Sequence, residues 1–188
     1  MIVKVCGITR REDALVAAEA GASAIGFIFY PQSPRYIDPE RAAALGEGLD
    51  LWKVGIFVDE TPAAIEAVMR AAHLDVAQVY GGGAPDGARV WKAVRVADSF
   101  DGWLGEGAEA VFLDSAKNGV SFDWKLARNA GAKVIVAGGL DASNVAAAID
   151  AAKPWGVDAS SKLETAPGIK DHDKVRAFVK AAREAATW

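Results

Sequence analysis

Ile2-Val3-Lys4-Val5-Cys6-Gly7-Ile8-Thr9-Arg10-Arg11-Glu12-Asp13 is the stretch that decides the fold. Four residues, mostly β-branched, run directly into a cysteine, a glycine and a helix start. Thr9 and Glu12 have the S/T-x-x-E spacing of a capping box, which predicts a helix from about Arg10 to Ala20, closed by Gly21. The chain's one cysteine then stands at or just past the C-terminal end of the first strand, on a sharp turn into a helix. In a barrel of alternating strands and helices, reacting groups sit at that edge.

Working outward, the same unit recurs. Ala24–Phe29 reads as a second strand, nearly all apolar, as strands buried on both faces are. The loop 30–36 leads to Asp38-Pro39, an N-cap followed by proline at the first helical position. Lys53–Val58 is strand three, and Thr61-Pro62 starts a helix reaching about Ala72. Strand four is Val76–Tyr80, after which the glycine-rich run 81–87 leaves almost no room for a helix. Strand five is Val90–Val96, with a short helix around Phe100–Gly105. Ala110–Leu113, ending in Asp114, is strand six, followed by a short helix over Asp123–Ala130. Lys133–Ala137 is strand seven; its helix, capped by Asp141 or Ser143, runs to about Ala152. Gly156–Ser160 is strand eight and Asp171–Ala186 a long closing helix. Eight such units predict an α/β fold, a compact (β/α)8 TIM barrel with shortened helices four and five, built as a single domain over 1–188. An open doubly wound sheet is the rival architecture; it commonly has five or six strands, and no G-x-G-x-x-G follows the first strand here.

Composition narrows the function classes. A net charge of −4 without a basic patch gives no electrostatic support for nucleic acid or anionic membrane as a partner. No apolar run reaches the roughly 18 residues of a membrane span, and the N-terminus lacks a signal-peptide layout, so a cytoplasmic protein is expected. One cysteine cannot form an internal disulfide, and no Cys/His cluster suggests a metal site.

Four features carry candidate chemistry. Cys6 reads either as a small buried hydrophobe or as a base or nucleophile whose thiolate is favoured by a nearby helix N-terminus. Asp114 ends an apolar strand, so its carboxylate either faces the barrel mouth or serves as a cap or loop ion pair. Arg35, between Pro34 and Tyr36, is a surface arginine or a planar fork for a substrate carboxylate. Gly138-Gly139 after strand seven and Ser160-Ser161 after strand eight suit a phosphate, which loops seven and eight of such barrels often bind. His73 and His172 read as solvated residues or caps. The tryptophans 52, 91, 103, 124, 155 and 188 read as core or rim packing.

Several stretches in order resemble phosphoribosylanthranilate isomerases, barrel enzymes of the tryptophan pathway. They are Lys4-Val5-Cys6-Gly7-Ile8-Thr9-Arg10, Gly26-Phe27-Ile28-Phe29 through Ser33-Pro34-Arg35-Tyr36, Val54–Val58, Leu113-Asp114, Phe122-Asp123-Trp124, Ala137-Gly138-Gly139-Leu140 and Ala166–Asp171. The resemblance implies an Amadori rearrangement of N-(5-phosphoribosyl)anthranilate without a cofactor. It implies Asp114 as general acid, Cys6 as general base, Arg35 on the anthranilate carboxylate, and Gly138, Gly139, Ser160 and Ser161 around the phosphate. A monomer or homodimer is expected.

The chain also departs from the family pattern. Tyr80 stands where the family has a histidine, keeping a hydrogen-bond donor towards the substrate but no imidazole. The loop after Asp114 is short, and Val120 stands where a lysine is expected. Lys162 replaces the glycine of Ser-Ser-Gly, so its ammonium either replaces the lost loop charge at the phosphate or marks a drifted site. Two other readings remain open on sequence: a catalytically silent phosphate-ligand-binding barrel, and an isomerase or epimerase of another phosphosugar.

Overall fold

In the computed structural model, which describes residues 1–96, 107–116, 121–128, 130 and 133–186, eight parallel strands close a barrel in sequence order. They are β1 (Ile2–Cys6), β2 (Ala24–Ile28), β3 (Trp52–Val58), β4 (Val76–Tyr80), β5 (Val90–Val96), β6 (Ala110–Ser115), β7 (Val134–Val136) and β8 (Gly156–Ala159). β8 returns to β1 with Lys4 opposite Asp158, so the sheet has no edge and the open architecture is excluded. No described helix is long and apolar enough to cross a membrane.

Each strand is buried on both faces. Outward residues such as Val3, Val5, Phe27, Phe57, Leu113 and Val136 pack in one layer beneath the helices. Inward ones such as Val54, Val76, Trp91, Phe112 and Ile135 fill the barrel. At the N-terminal end of the strands Trp52, Trp91 and Trp155 meet with ring centroids 5.9–6.2 Å apart. Arg89 lies over Trp52 and Lys133 over Trp155, and Glu109 pairs with both cations. That end is a packed plug.

The helices are α1 (Arg11–Glu19), α2 (Pro39–Gly46), α3 (Pro62–Ala71), α4 (Val145–Ala152) and α5 (His172–Ala185). Asp38, Thr61 and Asp171 cap α2, α3 and α5 by accepting from backbone N–H groups, the first two directly before a proline at the first helical position.

Four expectations need correction. Thr9 does not cap α1: its hydroxyl donates to the Gly168 carbonyl, Arg10 occupies the cap position without a side-chain bond, and Glu12 pairs with Arg10. α4 is entered through Asn144 rather than Asp141 or Ser143; Asn144 Oδ1 accepts from the Asp141 N–H while Asp141 turns back on Ser143. Between β4 and β5 the fourth helix is absent rather than shortened, because residues 81–87 supply only turns. The expected helix over Asp123–Ala130 is a one-turn 3₁₀ helix, Trp124–Ala127, started by Asp123. The expected helix at Phe100–Gly105, the loop through Val120, Trp103 and Trp188 lie outside the described residues. One small element was not foreseen: β9 (Glu164–Ala166) and β10 (Ile169–Lys170) form an antiparallel hairpin after β8.

Candidate active site

At the C-terminal end of the strands a cavity of about 320 Å³ opens, and all nine residues singled out from the sequence line it: Cys6, Arg35, Tyr80, Asp114, Gly138, Gly139, Ser160, Ser161 and Lys162. Strand alternation places them. On β1 the side chains of Lys4 and Cys6 point inward, two residues apart. Cys6 is opposite Gly26 of β2, and a Cβ at Gly26 would come within 2.8 Å of the Cys6 sulfur and 3.1 Å of Lys4 Cε. Both side chains therefore lie over that glycine.

Cys6 does not gain its chemistry from a helix N-terminus, as the sequence suggested. α1 begins only at Arg11, and burial pushes the Cys6 thiol above its ordinary pKa. Lys4 pulls it down, Asp158 pushes it up, and Lys170 pulls it down again, without reversing the effect of burial. Lys4 is fully buried and its ammonium is 2.8 Å from Asp158 Oδ1 and 4.9 Å from the centroid of the Phe112 ring. Burial alone would lower the Lys4 pKa; the Asp158 carboxylate and the Cys6 sulfur together outweigh it and keep the side chain an ammonium.

Asp114 stands on β6, with Arg95 of β5 as its register partner. Burial, then the like charge of Asp158, raises the Asp114 carboxyl above the usual carboxylate range; Tyr80, the Ser115 N–H and Arg95 oppose this more weakly. The Tyr80 hydroxyl donates to Asp114 Oδ2 and accepts from Gln78 Nε2 at 3.2 Å. Burial, then the Asp114 charge, hold the Tyr80 phenol well above its ordinary value, so it remains a donor. Gln78 Oε1 is buried without a hydrogen-bond partner among the described residues, at the floor of the same cavity.

Arg35 comes from the loop after β2 and is gripped by Glu164 of β9. Its Nε and Nη2 donate to the two carboxylate oxygens at 2.8 and 2.7 Å. Glu164 Oε1 also accepts from Lys170 at 2.8 Å. Burial would raise Glu164, but the Arg35 hydrogen bonds and Lys170 hold it below its ordinary value. Gly7, at φ +73°, lets Arg35 and Ser160 close over the turn after β1, where a Cβ would meet Arg35 Cδ at 2.7 Å.

Around β7 and β8 the backbone is exposed to the cavity. Gly138 has φ +86°, and a Cβ there would come within 2.7 Å of the Ser115 backbone nitrogen. The N–H groups of Gly138, Gly139 and Leu140 donate to no backbone carbonyl among the described residues. Ser160 Oγ donates to the Cys6 carbonyl, tying β8 to β1. Lys162, exposed on the one-turn 3₁₀ helix Ser161–Leu163, makes no ion pair among the described residues.

Lys4, Gln78, Arg95, Asp158, Glu164 and Lys170 were missed in the sequence. The signal for two of them was there: Lys4 and Asp158 are charged residues at inward positions of otherwise apolar strands, which burial permits only when they are paired.

The family model described as N-(5'phosphoribosyl)anthranilate (PRA) isomerase matches residues 3–181. An N-(5'-phosphoribosyl)anthranilate isomerase of Solibacter usitatus is 49% identical over 197 residues, covering 98% of each chain. A crystal structure of monomers derived from the dimeric phosphoribosylanthranilate isomerase of Thermotoga maritima superposes with TM-score 0.87 at 38% identity, covering 98% of this chain and 100% of that one. A phosphoribosyl anthranilate isomerase in complex with reduced 1-(o-carboxyphenylamino)-1-deoxyribulose 5-phosphate gives TM-score 0.86 at 38% identity, covering 98% and 100%.

Proposed function

The chain belongs to the N-(5'-phosphoribosyl)anthranilate isomerase family, and from that premise we propose that it converts N-(5'-phosphoribosyl)anthranilate to 1-(o-carboxyphenylamino)-1-deoxyribulose 5-phosphate with Asp114 as general acid and Cys6 as general base. The observation that carries this assignment is a carboxyl with a raised pKa and a thiol lining one cavity from separate strands. A carboxyl whose pKa burial raises above the usual carboxylate range suits proton donation.

The reaction follows from these groups. Asp114 gives its proton to the furanose ring oxygen as the bond from that oxygen to C1 breaks. The anthranilate nitrogen lone pair moves into a C=N bond at C1. The Cys6 thiolate then takes the proton from C2; the C–H electrons form the C1=C2 bond and the C=N electrons return to nitrogen. The enolamine becomes the product when the C2 hydroxyl loses its proton and C1 gains one.

Binding contacts divide by charge. The N–H groups of Gly138 and Gly139, with Ser160, Ser161 and Lys162, form the seat for the phosphate. Arg35, oriented by Glu164, faces the anthranilate carboxylate with its remaining N–H groups. Gln78 Oε1, without a protein partner among the described residues, accepts from a sugar hydroxyl.

The test is direct. Phosphoribosylanthranilate fluoresces, and adding protein should extinguish that signal with turnover. Cys6→Ala and Asp114→Asn should each lower kcat by roughly 10²–10⁴-fold while leaving the circular dichroism spectrum unchanged. Stoichiometric quenching without turnover would mark a binding protein instead, and near-normal activity of either variant would remove its assigned role.

A further inference from the structure

The proposed mechanism needs a thiolate and a protonated carboxyl at once, yet burial favours the neutral thiol. Beneath both groups lies an ion pair that the mechanism does not use. Lys4 and Asp158 are register partners on β1 and β8, with Nζ and Oδ1 2.8 Å apart. Lys4 is fully buried and Asp158 is 6% exposed. Such a pair is a poor source of stability, because desolvating two charges cancels most of their attraction and an apolar pair would do as well.

Its orientation within the barrel is specific. The Lys4 stem and the Cys6 sulfur share the space over Gly26, so the ammonium lies on the thiol side. Asp158, on β8, sits between the strand of Cys6 and that of Asp114 and lines the cavity with both. We propose that Lys4 and Asp158 are positioning residues for both proton transfers, one holding a cation against the Cys6 sulfur and the other presenting a negative charge to Asp114. This rests on the assignment of Cys6 and Asp114 above.

The remaining charged or titratable neighbours are Lys170, Arg35 and Tyr80 around Cys6, and Tyr80 and Arg95 around Asp114. Lys4 opposes the effect of burial on the thiol, and Asp158 adds to the effect of burial on the acid. Both bring the two groups closer to sharing one proton in the productive arrangement. Every unit by which their pKa values move apart lowers the population of that arrangement about tenfold.

The experiment uses the fact that Cys6 is the chain's one cysteine. The pH dependence of its alkylation by iodoacetamide, without substrate, reads the thiolate independently of any isomerase activity. Lys4→Met/Asp158→Asn keeps volume and leaves no lone buried charge. In this variant the alkylation midpoint should rise by about one unit, the acid limb of kcat/KM should fall to lower pH by about one unit, and the maximum should drop roughly 100-fold. Asp158→Asn alone should move the alkylation midpoint the other way, downward, because Lys4 is then free for the thiolate. Opposite movements are not produced by a merely structural pair. An unmoved midpoint in both folded variants overturns the proposal even where Cys6→Ala and Asp114→Asn abolish turnover.

Discussion

The Tyr80 hydroxyl donates to Asp114 Oδ2 over 3.1 Å, so its phenol is attached to the proposed acid. That bond favours the ionised carboxylate and lowers the Asp114 pKa against the upward effect of burial. Tyr80→Phe removes the lowering interaction, so Asp114 titrates higher. The acid limb of the kcat/KM profile should therefore move to higher pH and, because the Asp114 and Cys6 values then lie closer, the kcat/KM maximum should rise about two- to fivefold. An unmoved limb would detach Tyr80 from the acid.

Gly26 is the floor on which Lys4 and Cys6 lie. A methyl there would stand 2.8 Å from the sulfur and 3.0 Å from Ile56 Cδ1. Gly26→Ala should lower stability by about 1–3 kcal/mol through overpacking. It should also displace the thiol, so kcat falls further than the loss of folded protein explains. Urea unfolding and steady-state kinetics on the same preparation separate the two.

Lys162 offers an exposed ammonium at the cavity rim, beside the proposed phosphate seat. Lys162→Gly should raise KM for the phosphorylated substrate about five- to tenfold, the worth of one exposed charged contact, and leave kcat within about twofold. A KM equal to that of the parent would show that the ammonium does not reach the phosphate.

Glu164 is held below its ordinary pKa by Arg35 and Lys170, which overcome the effect of burial. A depressed carboxylate stabilises the fold above its unfolded pKa of about 4.3, and this is lost as pH falls through the lower folded value. Glu164→Gln should thus lower the urea midpoint at neutral pH, with the difference from the parent shrinking on acidification below about pH 4. Its KM should also rise, because Arg35 loses the fork that orients it. A constant difference at all pH values would contradict this sign.

What the sequence disclosed was whatever depends on short spacing. The alternation of apolar strands and capped helices gave the barrel, and the strand-end positions of Cys6 and Asp114 gave the cavity. What stayed hidden depends on distant partners. Thr9 and Glu12 have a capping spacing, but Thr9 serves the Gly168 carbonyl 159 residues away. Lys4 meets Asp158 154 residues on, and Arg35 meets Glu164 129 residues on. His172 read as a helix-end residue, yet its ring bonds the buried Asp13 of α1. Nothing local in the sequence ranks those partners above solvent.

The indoles of Trp52, Trp91 and Trp155 seal one end of the cylinder. Traffic is thereby one-way in space: whatever enters must leave by the same doorway. Departure of one molecule and arrival of the next compete for a single threshold, so trimming the rim loops alters how fast guests exchange while the sealed foot keeps the vessel shut.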